Sequence, residues 1–487
     1  MDNGLDRKVQ LNPGTQTNFA DDQFPADLLI ELDRSRPRTL RAQLERGLRQ
    51  AIASKTLAPG TALPPSRVLA AELGLSRSLV VGAYEQLVIE GYLEARQGSG
   101  TRVRAPGFDT RKRTAGPGDS PYWPVPLSHD GKISRSGLPD PSLFPRNEWL
   151  RHYRDVLQDI PDLGLLYPPP RGELELRTAL TAYLGRVRGV RATPDQIVVV
   201  GGFSQGLMLL CRALGKRGAA RIAVEDPCFA FHRKIIDAAG LEAVPVPVDD
   251  EGIRTDLLAD VDAEAVLLSP AHSYPSGAAL SADRRVALLE WARGTGALVI
   301  EDDYDAELRY DRLPVGALQG LDPDRVVYGG SVSKVLSPAL RLGWMVAPPE
   351  LAGEIIRLRM FEDFAPEPLG QLTLARFIDS GGFARHLRRV RPIYRSRRDR
   401  VLAVIDKHLP QIQPSGEAAG LHLLLRLPDG SDPEQVAIAA AAHDVQLENA
   451  IWHWFEPCLA PPTLLVGYGA QREHTLANGI EALAAEL

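Results

Sequence analysis

The sharpest chemistry in this chain is carried by a short run, Ser331, Ser333 and Lys334, with Arg341 seven positions further on. A primary amine flanked by hydroxyls can condense with a carbonyl to form a Schiff base, while the Ser331 hydroxyl and the Arg341 guanidinium suit a phosphate group. The run follows the apolar stretch RVVYGGS (325–331), which reads as a strand, so the amine stands near a strand end. The chain holds 8 lysines against 48 arginines. A position that needed only positive charge would usually be arginine here, so Lys334 argues for the amine itself.

A second cluster, Glu301-Asp302-Asp303-Tyr304, closes the apolar stretch ALVI 32 residues before Lys334. A carboxylate there can pair with a protonated ring nitrogen, and Tyr304 can donate to a ring oxygen; a plain acidic loop is the competing reading. VVVGGFSQGLMLL (198–210) reads as strand, glycine turn and helix. The backbone N–H groups of Phe203 and Ser204 at that helix start can cradle a phosphate, although a nucleotide loop or a structural turn has the same outline. In EDPCF (225–229), Phe229 can stack on a ring or fill a core position. In SPAHSYPSG (269–277), His272 and Tyr274 can face the same ring, or His272 can be an ordinary turn residue.

Such groups need a scaffold that brings strand ends together. IVVV (197–200), RIAVED (221–226), AVLLSP (265–270), ALVIEDD (297–303) and RVVYGGS alternate with helical stretches such as 204–214 and 282–294. Short β-branched runs alternating with helices predict an α/β fold with a mostly parallel sheet covered on both faces. Near Arg397 the pattern shifts to a smaller α+β unit ending in a helix over 473–486.

The first hundred residues follow a different plan. Leu40, Leu44, Leu48 and Ile52 repeat at i+4, an amphipathic helix. A second helix is expected to start at Pro65/Ser66 and stop at Gly74, and a third to start after the N-cap Ser76, with Val80, Tyr84, Leu87 and Val88 as its apolar stripe. Two short helices around a glycine turn are a helix-turn-helix, and YLEARQGSGTRVRA (92–105) predicts a hairpin wing. A recognition helix puts its N-terminal side chains at base edges and its N–H groups at phosphates. On that basis Ser66, Arg67, Ser76, Arg77 and Ser78, with Arg96, Thr101 and Arg102 on the wing, are candidate DNA contacts, each weighed against an ordinary surface role.

Charge supports the split. The chain carries a net −6, yet residues 34–113 hold 15 lysines and arginines against 6 acids, a net of +9, which leaves −15 for the remainder. A small basic module on an acidic body suggests a polyanion partner for the module alone. Residues 1–25 are polar and read as disordered, 26–104 as the DNA-binding module, 105–127 as a linker rich in proline and glycine, and 128–487 as the α/β domain. The basic triplet Arg111-Lys112-Arg113 in the linker can touch phosphates or simply be solvated. No apolar run is long enough for a membrane span, and the start MDNGLDRKVQLNPG has no signal-peptide core. The three cysteines suit a reducing cytoplasm rather than a disulfide framework or a zinc site, so no metal is expected.

LPPSRVLAAELGLSRSLVVGAYEQLVIEGYLEARQGSGTRV (63–103) closely resembles the GntR family of transcription regulators. The motifs around Lys334, Asp302 and 269–277 resemble fold-type I pyridoxal 5′-phosphate (PLP) enzymes of the aminotransferase class over about residues 130–487. The fusion in this order, with EDDYDAELRY (301–310) and PAHSYPSG (270–277), resembles the MocR subgroup of GntR regulators. The resemblance implies a homodimer made through the large domains, PLP bound to Lys334, and double-stranded operator DNA as partner. It also implies control of amine, amino-acid or vitamin B6 genes in response to PLP or an amine effector. By resemblance, Asp302 rather than Asp303 meets the ring nitrogen. One departure stands out. Aminotransferases grip the substrate carboxylate with an arginine near the C-terminus, whereas PTLLVGYGA (462–470) places Leu464, Leu465 and Val466 there, with Arg472 close by. This weakens two alternatives: a working aminotransferase with a DNA-binding appendage, and binding of a carboxylate in the usual way. A cofactor-free scaffold is opposed by the intact Lys334, Asp302, Tyr304 and Arg341.

Overall fold

A computed structural model describes residues 32, 40–96, 100–104, 136–310, 315–443, 445–470 and 473–484. The polar N-terminus, the linker, the wing tip 97–99, the triplet 111–113 and Arg472 lie outside the described residues. The chain divides into two compact units, Met1–Val125 and Pro126–Leu487.

In the first unit, α1 (Leu40–Ala53), α2 (Ser66–Leu73) and α3 (Arg77–Ile89) precede the hairpin β1 (Leu93–Arg96) and β2 (Gly100–Val103). Leu44, Leu48 and Ile52 of α1 close over Leu69 and Leu73 of α2 and Val80, Tyr84 and Leu87 of α3, the i, i+4 stripes expected from sequence. Gly74 ends α2 in the left-handed region (φ 61°), a conformation glycine adopts without strain. Two residues later the Ser76 hydroxyl caps α3 by accepting the Leu79 N–H at 3.3 Å, a bond worth about 1 kcal/mol. Tyr84 Oη donates to the Pro64 carbonyl (3.0 Å) and ties α3 to the entry of α2. Residues 61–63 join the wing as a further extended segment. Leu63 N–H donates to Thr101 O, and Val103 N–H donates to Thr61 O. No periodicity marks this segment, because three residues are too few to show one.

The second unit is built on an eight-stranded sheet ordered β3 (Ile197–Val200), β10 (Gly343–Val346), β9 (Val326–Ser331), β8 (Leu298–Asp303), β7 (Ala265–Leu268), β4 (Arg221–Asp226), β5 (Glu242–Asp249) and β6 (Gly252–Ile253). β9, β8, β7, β4 and β5 are parallel, and β10 runs antiparallel to both its neighbours. Sequence reasoning did not find β5, which carries Pro245 and Pro247. Over those residues only β4 pairs with it, so the missing donors fall where no second neighbour needs them. Both faces are covered. Val198, Val200, Ile300 and Met345 pack under α6 (Phe203–Lys216) and α7 (Ala230–Ala238). Their strand neighbours Val199 and Val299 point to the opposite side. A four-stranded antiparallel sheet, β11 (Gln413–Ser415), β12 (His422–Arg426), β14 (Thr463–Gly467) and β13 (Leu447–Asn449), forms the smaller unit. The long helix Gly382–His408 runs straight through Arg397, so the change of pattern expected there falls inside one helix.

Candidate functional site

The cofactor constellation assembles at the carboxyl ends of the parallel strands, the side on which open α/β sheets bind ligands. Lys334 follows β9 and is half-buried. Burial lowers its pKa from the usual lysine value, and the nearby Asp305, Asp302 and Glu448 act against that shift. A lysine held toward its neutral form is the nucleophile that a carbonyl requires. A Cβ on Gly137 would sit 3.5 Å from Lys334 Nζ, so the segment that opens the second unit passes directly over the amine.

Asp302 sits at the end of β8, 6 % exposed, and its Oδ1 has no hydrogen-bond partner. Burial, then the charges of Asp303 and Asp305, push its pKa well above the ordinary carboxylate range. Adjacent strand residues face opposite sides. Asp303 therefore turns away, where its Oδ2 accepts from Arg188 Nε (2.7 Å) and Tyr328 Oη (2.5 Å). Asp303 Oδ1 is unpartnered as well, so the separation of the two residues rests on that charged partner. Beside Asp302 lies a residue that sequence reasoning missed, His232 of α7, with Nε2 3.7 Å from Asp302 Oδ2. Burial pulls its pKa down to about 4, so the imidazole is neutral at pH 7.

The residues expected to hold a phosphate also lie together. Gly202 caps α6 with φ 102°, and a Cβ there would lie 3.1 Å from Arg341 Nη2, which sets the guanidinium against the helix start. Arg341 itself has φ 51°, a left-handed conformation that costs a non-glycine residue of order 1–3 kcal/mol and tends to mark functional sites. Ser331 is buried, and its Oγ lies 3.4 Å from the Ser333 N–H. Phe203 and Ser204 open α6, and the Phe203 ring covers Gly329, where any Cβ would come within 2.4 Å of it. Gln205, also missed from sequence, accepts the Gly201 N–H at 2.6 Å.

Tyr304 and Asp305 both engage one nitrogen of His272: Tyr304 Oη and Asp305 Oδ2 each lie 2.9 Å from His272 Nδ1. His272 thus has a defined buried role beside Tyr304. Phe229, 37 % exposed, caps α7 and stands edge-on to His232 (5.2 Å) and Tyr274 (5.5 Å), with His453 stacked at 6.2 Å. It is neither core nor bare surface.

In the first unit, Arg67, Ser76, Arg77 and Ser78 are exposed, the last three at the start of α3. Ser66 is the first residue of α2 and is half-buried, as are Thr101 and Arg102 on β2. Arg102 Nη1 donates to the Gly60 carbonyl at 2.9 Å, so part of this guanidinium braces the wing. Arg96 lies in β1, opposite Gly100.

Residues 40–103 match the model of the bacterial regulatory proteins of the gntR family, and residues 146–452 match aminotransferase class I and II. A pyridoxine biosynthesis transcriptional regulator, PdxR, from Corynebacterium glutamicum is 35 % identical, covering 93 % of this chain and 96 % of its own. The chain belongs to the GntR family, in its MocR-type branch. The probable rhizopine catabolism regulatory protein MocR of Rhizobium meliloti is 32 % identical over 93 % of this chain and 95 % of its own. Among solved structures, a multiple substrate aminotransferase from Thermococcus profundus superposes with a TM-score of 0.67 at 26 % identity, covering 72 % of this chain and 89 % of its own. An α-aminoadipate aminotransferase from Thermus thermophilus, complexed with N-(5′-phosphopyridoxyl)-L-leucine, superposes at 0.65 and 25 %, covering 72 % and 90 %.

This MocR-type chain is therefore a DNA-binding transcription regulator whose second domain binds PLP. The observed residues fit that cofactor: an open carboxylate oxygen for the ring nitrogen, an amine for the aldehyde, and a helix start with an arginine for the phosphate. When bound, the cofactor supplies an aldehyde that condenses with amines and a ring that holds negative charge. Asp302 would hold the protonated ring nitrogen, and His232 would keep Asp302 oriented. Gly202, Phe203, Ser204 and Arg341 would hold the phosphate. Among the described residues no helix is long and apolar enough to cross a membrane, and no cluster suits a metal ion.

Proposed function

We propose that this protein is a homodimeric cytoplasmic regulator that binds double-stranded operator DNA through its N-terminal unit. Its affinity for that DNA changes when PLP occupies Lys334, and its targets are genes of vitamin B6, amine or amino-acid metabolism. One observation carries this reading. The cofactor groups are intact, while β14, where an aminotransferase would carry its carboxylate-binding arginine, offers buried Leu464, Leu465 and Val466. Among the described residues the site keeps the groups expected to hold PLP, and β14 carries no arginine as a handle for a substrate. The Corynebacterium relative, a regulator of pyridoxine biosynthesis, favours vitamin B6 among the candidate pathways.

The homodimer is supported by exposed apolar side chains, Leu163, Leu166, Tyr167, Phe361 and Phe364, on two segments joined where Tyr167 meets Phe364 at 5.1 Å. A second copy of the chain is the natural cover for such a surface. Ser76, Arg77 and Ser78 would contact the operator at the recognition helix, with Ser66 and Arg67 of the preceding helix and Arg96, Thr101 and Arg102 of the wing flanking them. For PLP to act as a signal, it must bind one conformation better than another.

The test is operator affinity for the DNA upstream of the protein's own gene, at fixed salt, with and without PLP. A PLP-dependent change that Lys334→Ala abolishes is the expected result. Tight binding unmoved by PLP would leave a separate amine as the signal. Steady conversion of an amino acid and a keto acid, without any PLP effect on DNA binding, would favour the aminotransferase alternative.

A further inference from the structure

We propose that two helices of the second unit present a DNA-binding surface of their own, which holds phosphates of duplex DNA without reading its bases. The inference goes beyond the N-terminal recognition helix and rests on the reading that this protein works on duplex DNA.

The longer helix, Gly382–His408, has two distinct faces. His386, Leu387, Val390, Tyr394, Val401 and Ile405 are buried on one. Arg385, Arg388, Arg389, Arg395 and Arg400 are exposed on the other, over about 22 Å at 1.5 Å per residue. Between Arg385 and Arg400 the one acid on that face is Asp399, and Pro392 and Ser396 complete it. The helix Arg146–Asp159 adds exposed Arg146, Arg151 and Arg154. The starts of the two helices adjoin. Arg385 Nη2 donates to Glu148 Oε1 at 2.6 Å, and the same oxygen lies 3.6 Å from Arg151 Nη2. Arg389 Nη2 donates to the Leu143 carbonyl at 2.7 Å.

Charge that no carboxylate offsets carries the argument. Arg385 and Arg151 share Glu148, and Arg395 lies 3.7 Å from Asp399. Arg146 and Arg389 are held differently. Arg146 donates to the Pro141 carbonyl (3.1 Å), and Arg389 meets the Leu143 carbonyl and His386 Nδ1 (3.2 Å). Such partners fix a guanidinium without cancelling its charge. Arg154, Arg388 and Arg400 make no hydrogen bond or ion pair with any described residue. The chain outside residues 34–113 carries a net −15, so a polyanion is repelled by most of this unit and drawn to this face. Arginine forks match phosphate oxygens, and a duplex offers a charge every ~1.7 Å along its axis. The exposed face of the longer helix, from Arg385 to Arg400, has no large apolar side chain with which to enter a bilayer. Duplex DNA therefore fits it better than an anionic membrane.

The test removes only arginines that hold nothing in the fold. Full-length protein carrying Arg154→Gln, Arg388→Gln and Arg400→Gln is compared with the parent. A control carries Arg186→Gln, Lys216→Gln and Lys234→Gln, an equal loss of charge from exposed positions on three other helices. Affinity is measured against salt on DNA from upstream of the protein's own gene and on a scrambled duplex of equal length. The slope of log affinity against log salt should shrink by about 0.9 for each arginine that meets a phosphate, on both duplexes, and stay unchanged in the control. All three proteins should melt within a few degrees of one another. A triple variant with the parent's slope overturns the surface, and so does a control whose slope falls as far, since net charge alone would then account for the effect. Loss of binding to phosphatidylglycerol vesicles with the DNA slope intact overturns it in favour of a membrane. Failure of the parent to prefer the upstream DNA fails the operator reading alone, because the scrambled duplex still tests this surface.

Discussion

Arg188 and Asp303 form an ion pair 2.7 Å long in which each side chain is 1 % exposed. Arg188 comes from the helix Leu174–Arg188 and Asp303 from the end of β8, so the pair clamps helix to sheet on the face away from Asp302. Its effect on function is indirect. It gives one of two adjacent aspartates a fixed cation and leaves the other to meet whatever arrives from the cofactor side.

Asp303→Asn and Asp302→Asn should therefore behave differently. Loss of Asp303 leaves a buried guanidinium without its charge partner, and a drop of about 3–5 kcal/mol in stability is expected. Loss of Asp302 should leave the melting temperature within a few degrees of the parent while weakening PLP retention. Thermal melts together with equilibrium dialysis of PLP check both. Equal destabilisation by the two changes would contradict the assignment.

Arg341→Ala should weaken PLP binding by about 10- to 100-fold, the worth of one or two charge-assisted hydrogen bonds to phosphate. The same change relieves a left-handed arginine only in part, because alanine at φ 51° is also strained. Arg341→Gly should thus be the more stable of the two variants and equally poor at holding PLP.

His232 gives the second unit a pH dependence of known sign. Its pKa is lowered by burial from 6.5 to about 4 in the folded chain. The unfolded state therefore binds more protons between those values, and this group's contribution is lost as pH falls from about 6.5 to about 4. His232→Gln should flatten the slope of melting temperature against pH over that window and leave pH 7.5 little changed. Glu225, raised by burial to about 7, acts in the opposite sense: it favours the fold below about 4.5 and loses that contribution as pH rises through 7. Glu225→Gln should therefore gain on the parent above pH 7.

Arg77→Ala at the start of α3 should weaken operator binding, and the slope of log affinity against log salt should shrink by about 1 if the arginine meets a phosphate. Arg49→Ala is the control. Arg49 is held by Glu90 at 2.7 Å, so its loss should touch stability and leave the salt slope alone.

Gly420 sits at φ 72°, and a Cβ there would fall 2.5 Å from His272 Cε1 and 2.6 Å from Asp305 Oδ2. Gly420→Ala should cost about 1–3 kcal/mol through strain and overpacking. It should also loosen PLP by displacing the Tyr304–His272–Asp305 contacts, which a melt and a PLP titration would resolve.

What was readable from the chain alone was local. The stripe Leu44, Leu48 and Ile52, the cap at Ser76, the strand preceding Lys334 and the glycine turn before Phe203 each need only a few neighbouring residues to declare themselves, because backbone periodicity and capping act within one or two turns. Asp302 could be chosen over Asp303 only by resemblance. Strand alternation separates the two, but which face meets the cofactor depends on how the crossover helices wrap the sheet, and on Arg188 lying across the other face. The insertion of β10 between β3 and β9, and the pairing of residues 61–63 with the wing, were likewise invisible, because pairing partners leave no mark in the spacing of either segment. His232, His422 and His453 stand far apart in sequence and carry no motif. Only the packing of α7, β12 and the turn after β13 against one another makes them neighbours of Asp302 and Lys334, since burial and the loss of hydrogen-bond partners belong to the folded chain and to no stretch of it.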